Sequence, residues 1–355
     1  MKRYEHGGNV YAHRGVVDFS ASINPLGMPD EVVRVLRERV RDFEAYPDIE
    51  CTELCQAIAQ ATGVPTRQVI CTAGASDLID RACAVLAPRR ALVTAPCFSG
   101  YEQALERVGA TIERHRLREE DGFAFTGRFL DEGFFNRDRD EGANASAGAD
   151  IVFVCTPNNP TGLTVSLDLI ERVVCTARRA GAVVVLDECF LDFTERPSAV
   201  GLCARYPNLV VMRAFTKMYA MAGLRLGYGI CSDEELVARI GEAGQPWAVS
   251  TPAQVAGVAA LGVPGWIERS RAFVDEQREV LAGGLASCGM RVIASEANYL
   301  LFKSDVQLYE PLLQRGFLIR RCANFEGLDE NGYRIAVRTA DENAALLAAI
   351  EEVCL

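Results

Sequence analysis

Lys217 is the residue of this chain best suited to covalent chemistry. It stands in RAFTKMYAMAGLRLGYG (Arg213 to Gly229), among apolar neighbours and eight residues before Arg225. Water stabilises an ammonium, so a lysine held in apolar surroundings has its pKa pushed down. The neutral amine that results attacks aldehydes, which is Schiff-base chemistry. On this stretch alone, a loop lysine followed by an arginine at a helix end explains the same residues. The rest of the chain separates the two readings.

Other polar residues recur where short apolar runs stop. The run Asn208–Met212 leads to Lys217, and Ala182–Leu186 ends in Asp187-Glu188. Ile151–Cys155 runs into TPNNPTG (Thr156 to Gly162), which contains Asn159. Ala91–Ala95 precedes the Phe98 turn, and Val69–Cys71 runs into Thr72–Asp77, a small-residue loop with Ala75 and Ser76. Each run reads as a strand buried on both faces, and helical spacing fills the intervals. Repeated strand–helix units predict an α/β chain with a mostly parallel sheet and its site along the carboxyl edge. The Thr72–Asp77 loop exposes N–H groups at the start of a helix, a phosphate site by its physics. It matches neither a Walker loop nor G-x-G-x-x-G, which weakens a nucleotide reading.

In order, these residues supply what pyridoxal phosphate needs: a lysine for its aldehyde and a carboxylate for its ring nitrogen. Lys217 and Asp187 take those roles. Asn159 is placed to bond the ring hydroxyl oxygen, and Phe98 to stack on the ring. The N–H groups of Ala75 and Ser76, the Thr216 hydroxyl and Arg225 would hold the phosphate by charge-assisted bonds. A capping acid and a core aromatic are the plainer readings of Asp187 and Phe98 singly, but they leave the ordered set unexplained.

Around this unit, residues 1–28 form an arm carrying HGGN (His6 to Asn9). The spacing reads equally as a functional arm or a frayed end. A helix from Pro29 through Val32, Val33, Leu36 and Val40 opens a unit spanning 29–250. A compact α+β unit spans 251–355, with a helix over Val306–Arg315, strands at Phe317–Arg320 and Gly332–Arg338, and a closing helix from Glu342. The polar stretch Asp131–Asp150 reads as a helix end and exposed loop without a site.

A net charge of −11 argues against nucleic-acid and anionic-membrane surfaces, so any bound anion needs a local cluster of cations. No apolar stretch reaches the roughly 18 residues of a membrane span. The N-terminus lacks a secretory core, which predicts a cytoplasmic protein. The 13 cysteines contain no C-x-x-C pair and stand beside only three histidines, so free thiols are expected and no metal.

The chain resembles the fold-type I pyridoxal-phosphate enzymes over nearly its whole length. TPNNPTG, DECFLDF (Asp187 to Phe193) and TKMYAMAGLRLGY (Thr216 to Tyr228) carry the resemblance. YPD (Tyr46 to Asp48) is similar to a motif whose tyrosine reaches the cofactor phosphate of a neighbouring subunit, which implies a homodimer with shared sites. Within the superfamily, two families compete: the histidinol-phosphate aminotransferases and the L-threonine-O-3-phosphate decarboxylases of cobalamin synthesis. HGGN, SASINPLGMP, Phe190 in place of a tyrosine, and LIRRCANFEGLDENGYRIAVRTA (Leu318 to Ala340) resemble the decarboxylases.

That resemblance implies decarboxylation of O-phospho-L-threonine to (R)-1-amino-2-propanol O-2-phosphate. Arg334 would bind the α-carboxylate, and Arg320, His6 and Gly7 the phosphate. Asn24 and Asn159 belong to the implied substrate site. Ser22 stands where the decarboxylases have a substrate-touching asparagine, which opens a preference for phosphoserine. Arg320, Arg321, Arg334 and Arg338 together form a basic cluster suited to two anionic groups. A transaminase and a pyridoxal-binding regulator are the other readings. The regulator is disfavoured because only some 28 residues, with no basic helix, precede the first large unit.

Overall fold

The structure, a computed structural model, describes residues 6–135 and 149–355. A two-residue strand, β1 (Val17–Asp18), precedes seven strands of one sheet. These are β2 (Val69–Thr72), β3 (Arg90–Ala95), β4 (Thr111–Arg116), β5 (Ile151–Cys155), β6 (Val183–Asp187), β7 (Leu209–Ala214) and β8 (Gly227–Ile230). Their spatial order is β2-β8-β7-β6-β5-β3-β4. All run the same way except β8, which is antiparallel to both its neighbours. The mostly parallel α/β sheet expected from the buried runs is thus present. β8 was not foreseen, because Gly227 and Gly229 weaken its strand pattern. β5 is buried at every residue and β7 at its first four, as parallel strands covered on both faces must be.

A smaller antiparallel sheet follows, formed by β9 (Arg291–Val292), β10 (Tyr299–Lys303), β12 (Arg320–Arg321) and β13 (Gly332–Ala336), in the order β12-β13-β10-β9. Between them, β11 (Phe317–Leu318) pairs in parallel with β1. The expected single strand Phe317–Arg320 is therefore two pieces with different partners. Ile319 is the break between them. The amide of Ala336 donates to the Phe19 carbonyl at 2.8 Å, so the segment after β1 is stitched to the small sheet as well.

Helix ends follow local chemistry. Ser166 caps the helix Leu167–Arg179 and Asp233 caps Glu234–Glu242, each by accepting an N–H of its first turn. The closing helix starts at Ala340, two residues before the expected start. Thr339 and Glu342 form a reciprocal capping box there. The helix expected over Val306–Arg315 is confined to Tyr309–Gln314, which puts Pro311 in the first turn, where its missing N–H costs little. The first helix, Asp30–Glu38, stops short of Val40, which lies exposed in a 3-10 turn. In Asp131–Asp150, the helix end is the single turn Arg128–Asp131, and most of the expected loop lies outside the described residues.

The sheet register sets the site. Cys155 pairs with Asp187 and Asp187 with Met212, so β5 and β6 end level and β7 runs two residues further, to Ala214. Antiparallel β8 starts at that same edge: Gly227 pairs with Thr72 of β2 and with Ala214 of β7. The turns holding Asn159, Asp187, Lys217, Arg225 and Ser76 are thereby gathered at one rim.

Candidate active site

A cavity of about 210 Å3 opens at this rim. It is lined by Lys217, Asp187, Asn159, Phe98, Thr216, Arg225, Ala75 and Ser76, and also by Arg320, Arg334, His6 and Gly7. Lys217 sits in a single helical turn, Phe215–Met218, directly after β7. That turn is clamped from outside the cavity. The Asn24 amide donates to the Lys217 carbonyl at 3.1 Å. Asn24 Nδ2 donates to the Met218 carbonyl at 2.7 Å, and Trp266 Nε1 donates to the same oxygen at 3.0 Å. Asn24, expected at the substrate, instead holds the backbone that carries the lysine.

The Lys217 amine lies 5.3 Å from the centre of the Phe190 ring. Burial, then the positive charge of Arg334, pushes its pKa down to about 8. The depressed amine inferred from apolar neighbours is therefore present, and its cause is the enclosed cavity. In the cofactor-free protein, acylation of Lys217 followed by peptide mapping is expected to rise through a midpoint near pH 8, below the range of ordinary lysines. The unfolded chain holds this proton up to a higher pH than the folded one does. This group therefore adds stability as pH climbs from about 8 toward the usual lysine value. A midpoint at the value of surface lysines would refute the assignment.

Asp187 is buried at the end of β6. Its Oδ1 accepts from the Cys189 amide at 2.9 Å, and its Oδ2 from the Tyr101 hydroxyl at 2.5 Å. Tyr101 stacks on Phe153 with ring centres 4.8 Å apart, which fixes the hydroxyl. Sequence reasoning missed Tyr101. The available signal was a tyrosine three residues after Phe98 on the face of a core helix, with a hydroxyl that needs a partner once buried. Tyr101→Phe removes a bond to a charged acceptor worth ~1.5–3 kcal/mol. Turnover is expected to fall by roughly 10-fold, and an unchanged kcat would count against an orienting role for Tyr101.

Phe98 meets Tyr101 edge-on at 5.5 Å. Gly100 makes room for its ring: a Cβ there would stand 2.3 Å from Phe98 Cε1. The phosphate cradle has the same character. Gly74, at φ +91°, precedes the helix Ala75–Leu86, and a Cβ on it would lie 2.6 Å from Arg225 Nη2. A Cβ on Gly227 would lie 2.6 Å from the Ala75 amide nitrogen. Bare backbone therefore brings a guanidinium across the N–H groups that open a helix, an arrangement suited to a dianion. Gly74→Ala strains the turn and displaces Arg225. Pyridoxal-phosphate affinity, read by equilibrium titration, is expected to drop by roughly 10- to 100-fold, and wild-type affinity would refute the cradle.

Arg320 and Arg334 are direct cross-strand partners on β12 and β13, and both are buried. Arg334 donates to Asn159 Oδ1 and, at 2.8 Å, to the Ser20 carbonyl. Arg320 donates to the Arg321 carbonyl at 2.6 Å and to Asn324 Oδ1 at 2.8 Å. His6 reaches the cavity above Phe98, with ring centres 5.9 Å apart and Gln103 Nε2 3.2 Å from its Nε2. Burial, then the charge of Arg320, lowers the His6 pKa. Gly7 packs so closely that a Cβ would meet the Ser20 carbonyl oxygen at 2.2 Å.

Besides Asn24, two expected site residues, Ser22 and Tyr46, and two arginines whose roles the sequence left open, Arg321 and Arg338, lie elsewhere. Arg321 alternates to the opposite side of its strand from Arg320 and stacks 4.1 Å from Tyr309. Arg338 pairs with Glu342 at the start of the last helix. The expected four-arginine cluster is thus two arginines. Ser22 is buried but does not line the cavity, and its hydroxyl makes no hydrogen bond among the described residues. Tyr46 is 79% exposed and stacks on Trp247 at 4.6 Å, away from this cavity.

A weakly basic lysine amine, a carboxylate with both oxygens oriented, and a cradle cleared of side chains fit pyridoxal phosphate. Residues 14–350 match the family model described as aminotransferase class I and II. The threonine-phosphate decarboxylase of Salmonella typhimurium is 35% identical over 361 residues, covering 98% of this chain and 96% of that one. A histidinol-phosphate aminotransferase of Cupriavidus pinatubonensis is 30% identical, covering 95% of this chain and 88% of its own. The solved histidinol-phosphate aminotransferase of Clostridium acetobutylicum superposes with a TM-score of 0.85 at 27% identity, over 95% of this chain and 98% of that one. With its fold, its cavity and these relatives in agreement, the chain belongs to the aminotransferase class I and II family of fold-type I pyridoxal-phosphate enzymes.

Proposed function

We propose that this protein decarboxylates O-phospho-L-threonine to (R)-1-amino-2-propanol O-2-phosphate and CO2 during cobalamin synthesis; relatives named threonine-phosphate decarboxylase and an adenosylcobalamin biosynthesis bifunctional protein support the reading. The observation that carries the reading is the buried pair Arg320 and Arg334, opposite one another across β12 and β13 in the lysine cavity. Like charges facing across a ladder repel. A ligand with two anionic groups offsets that cost, and a phosphorylated amino acid carries a carboxylate and a phosphate.

Bound pyridoxal phosphate supplies an electron sink for whichever bond of the substrate α-carbon stands perpendicular to its ring. The protein's part is to choose that bond. Arg334 holds the α-carboxylate, while Arg320, His6 and the Gly7 backbone hold the phosphate. Two anchors on one small molecule restrict rotation about its α-carbon, so remote binding acts on the barrier as well as on affinity. Asp187, oriented by Tyr101, keeps a proton on the ring nitrogen. Lys217, lining the same cavity, moves protons at the α-carbon.

The transaminase reading draws on the histidinol-phosphate aminotransferase relatives at about 30% identity. Incubation with O-phospho-L-threonine, and separately with O-phospho-L-serine, decides between them. CO2 and an amino-alcohol phosphate are expected; an oxo acid formed only with an amino acceptor would sink the decarboxylase reading. In the same proposal the enzyme is a cytoplasmic homodimer whose Tyr46 reaches the partner's cofactor phosphate. Units 29–250 and 251–355 then meet at the cavity, and the N-terminal arm joins the smaller unit. No helix among the described residues is long and apolar enough to cross a membrane.

A further inference from the structure

A second cavity, of about 430 Å3, shares no lining residue with the lysine cavity, and three cysteines, Cys51, Cys55 and Cys71, open onto it. Cys51 precedes the helix Thr52–Thr62, Cys55 lies one turn further along the same face, and Cys71 lies on β2, the edge strand against which that helix packs. Cys55 Sγ and Cys71 Sγ are 3.5 Å apart. We propose that Cys55 and Cys71 are a thiol–disulfide site, oxidised to an intramolecular disulfide by peroxides and reduced again by small dithiols.

The geometry separates this pair from the other cysteines. Sulfurs already in contact need to close by only about 1.5 Å to reach bonding distance. Cys55 and Cys71 stand 16 positions apart in sequence, joined by the rest of the helix Thr52–Thr62 and the short turn that leads into β2. Burial elsewhere raises thiols such as Cys83 and Cys97, which makes them inert. Cys55 departs from that pattern, because its bond with Cys71 lowers its pKa, while Cys71 is pushed well up by both Cys51 and Cys55. Within the pair, Cys55 is thus the more acidic thiol and Cys71 the one that keeps its proton longer. Among the described residues no group of three or more His, Cys, Asp or Glu is arranged to hold a metal ion, which favours sulfur chemistry over metal ligation.

The step balances. The Cys55 thiolate attacks one oxygen of hydrogen peroxide, the O–O bond breaks, and a proton completes one water, leaving a sulfenic acid. Cys71 sulfur then displaces hydroxide from that sulfur, and its own proton completes the second water. Two thiols lose two electrons and peroxide gains them. A dithiol reverses the bond by exchange.

The test treats the full-length holoenzyme with graded hydrogen peroxide, alkylates remaining thiols, and maps peptides without reduction. A peptide pair joined through Cys55 and Cys71, short of two hydrogens and released by dithiothreitol, is expected at the lowest effective dose. It should be absent in Cys55→Ser and retained in Cys51→Ser. Full alkylation of Cys55 and Cys71 at doses that oxidise other cysteines would overturn the proposal, as would Cys71 bridged to Cys51, or bridges between chains alone. The wild-type map decides even if a variant fails to fold.

Discussion

Lys217→Ala is expected to lower decarboxylation of O-phospho-L-threonine by roughly 10^4-fold or more, since it deletes a nucleophile and a proton carrier together. The structure explains why no neighbour can substitute. The amine owes its low basicity to an enclosed site facing Arg334 and Phe190, and the turn that carries it is pinned by Asn24 and Trp266. Borohydride reduction of the wild-type holoenzyme should place the pyridoxyl group on Lys217 in a peptide map, and the variant should show none. Pre-steady-state rates within about 10-fold of wild type, or a label on another lysine, would remove the basis of the proposed chemistry.

The second large effect is a split between the two arginines. Arg334→Ala and Arg320→Ala each leave a buried anionic ligand group without its partner, a loss of ~2–5 kcal/mol, or roughly 30- to 5,000-fold in kcat/KM. The two variants should differ in which substrates they penalise. Arg334→Ala affects every substrate with an α-carboxylate, and it also releases Asn159 and the Ser20 carbonyl. Arg320→Ala affects phosphorylated substrates alone, so its kcat/KM for unphosphorylated threonine should match that of wild type. Measuring both substrates on both variants is the check. Equal losses on threonine and phosphothreonine in Arg320→Ala would refute a phosphate role for Arg320 and, with it, the choice of substrate.

The site was legible in the linear chain where chemistry follows from strand ends. Asn159, Asp187, Lys217, Phe98 and the Ala75-Ser76 pair were each read in the turn that follows an apolar run, and all of them line one cavity. The physics behind this is simple. Parallel strands joined by helices send every carboxyl end to the same rim, so order along the chain suffices to predict company in space. A lowered Lys217 amine was inferred from its apolar neighbours, whereas burial in the cavity and the charge of Arg334 are what lower it.

Positions that depend on pairing at long range could not be read from local pattern, and Arg320 and Arg334 were named only through the family resemblance. Arg320 and Arg334 face one cavity because β12 and β13 meet in one register, while Arg321, next in sequence, is turned to the other side by the two-residue period of a strand. Asn24 looked like a substrate residue and proved to be the clamp on the lysine turn, because 194 residues of chain return it to Met218. Tyr101 was missed because nothing local says which carboxylate a buried hydroxyl will meet. Residue types and spacing were enough to declare a covalent lysine, its carboxylate and the class of cofactor. The facing register of Arg320 and Arg334, the orientation of Asp187 and the clearance around Gly74 came from folding alone, since each depends on contacts between segments that no local pattern encodes.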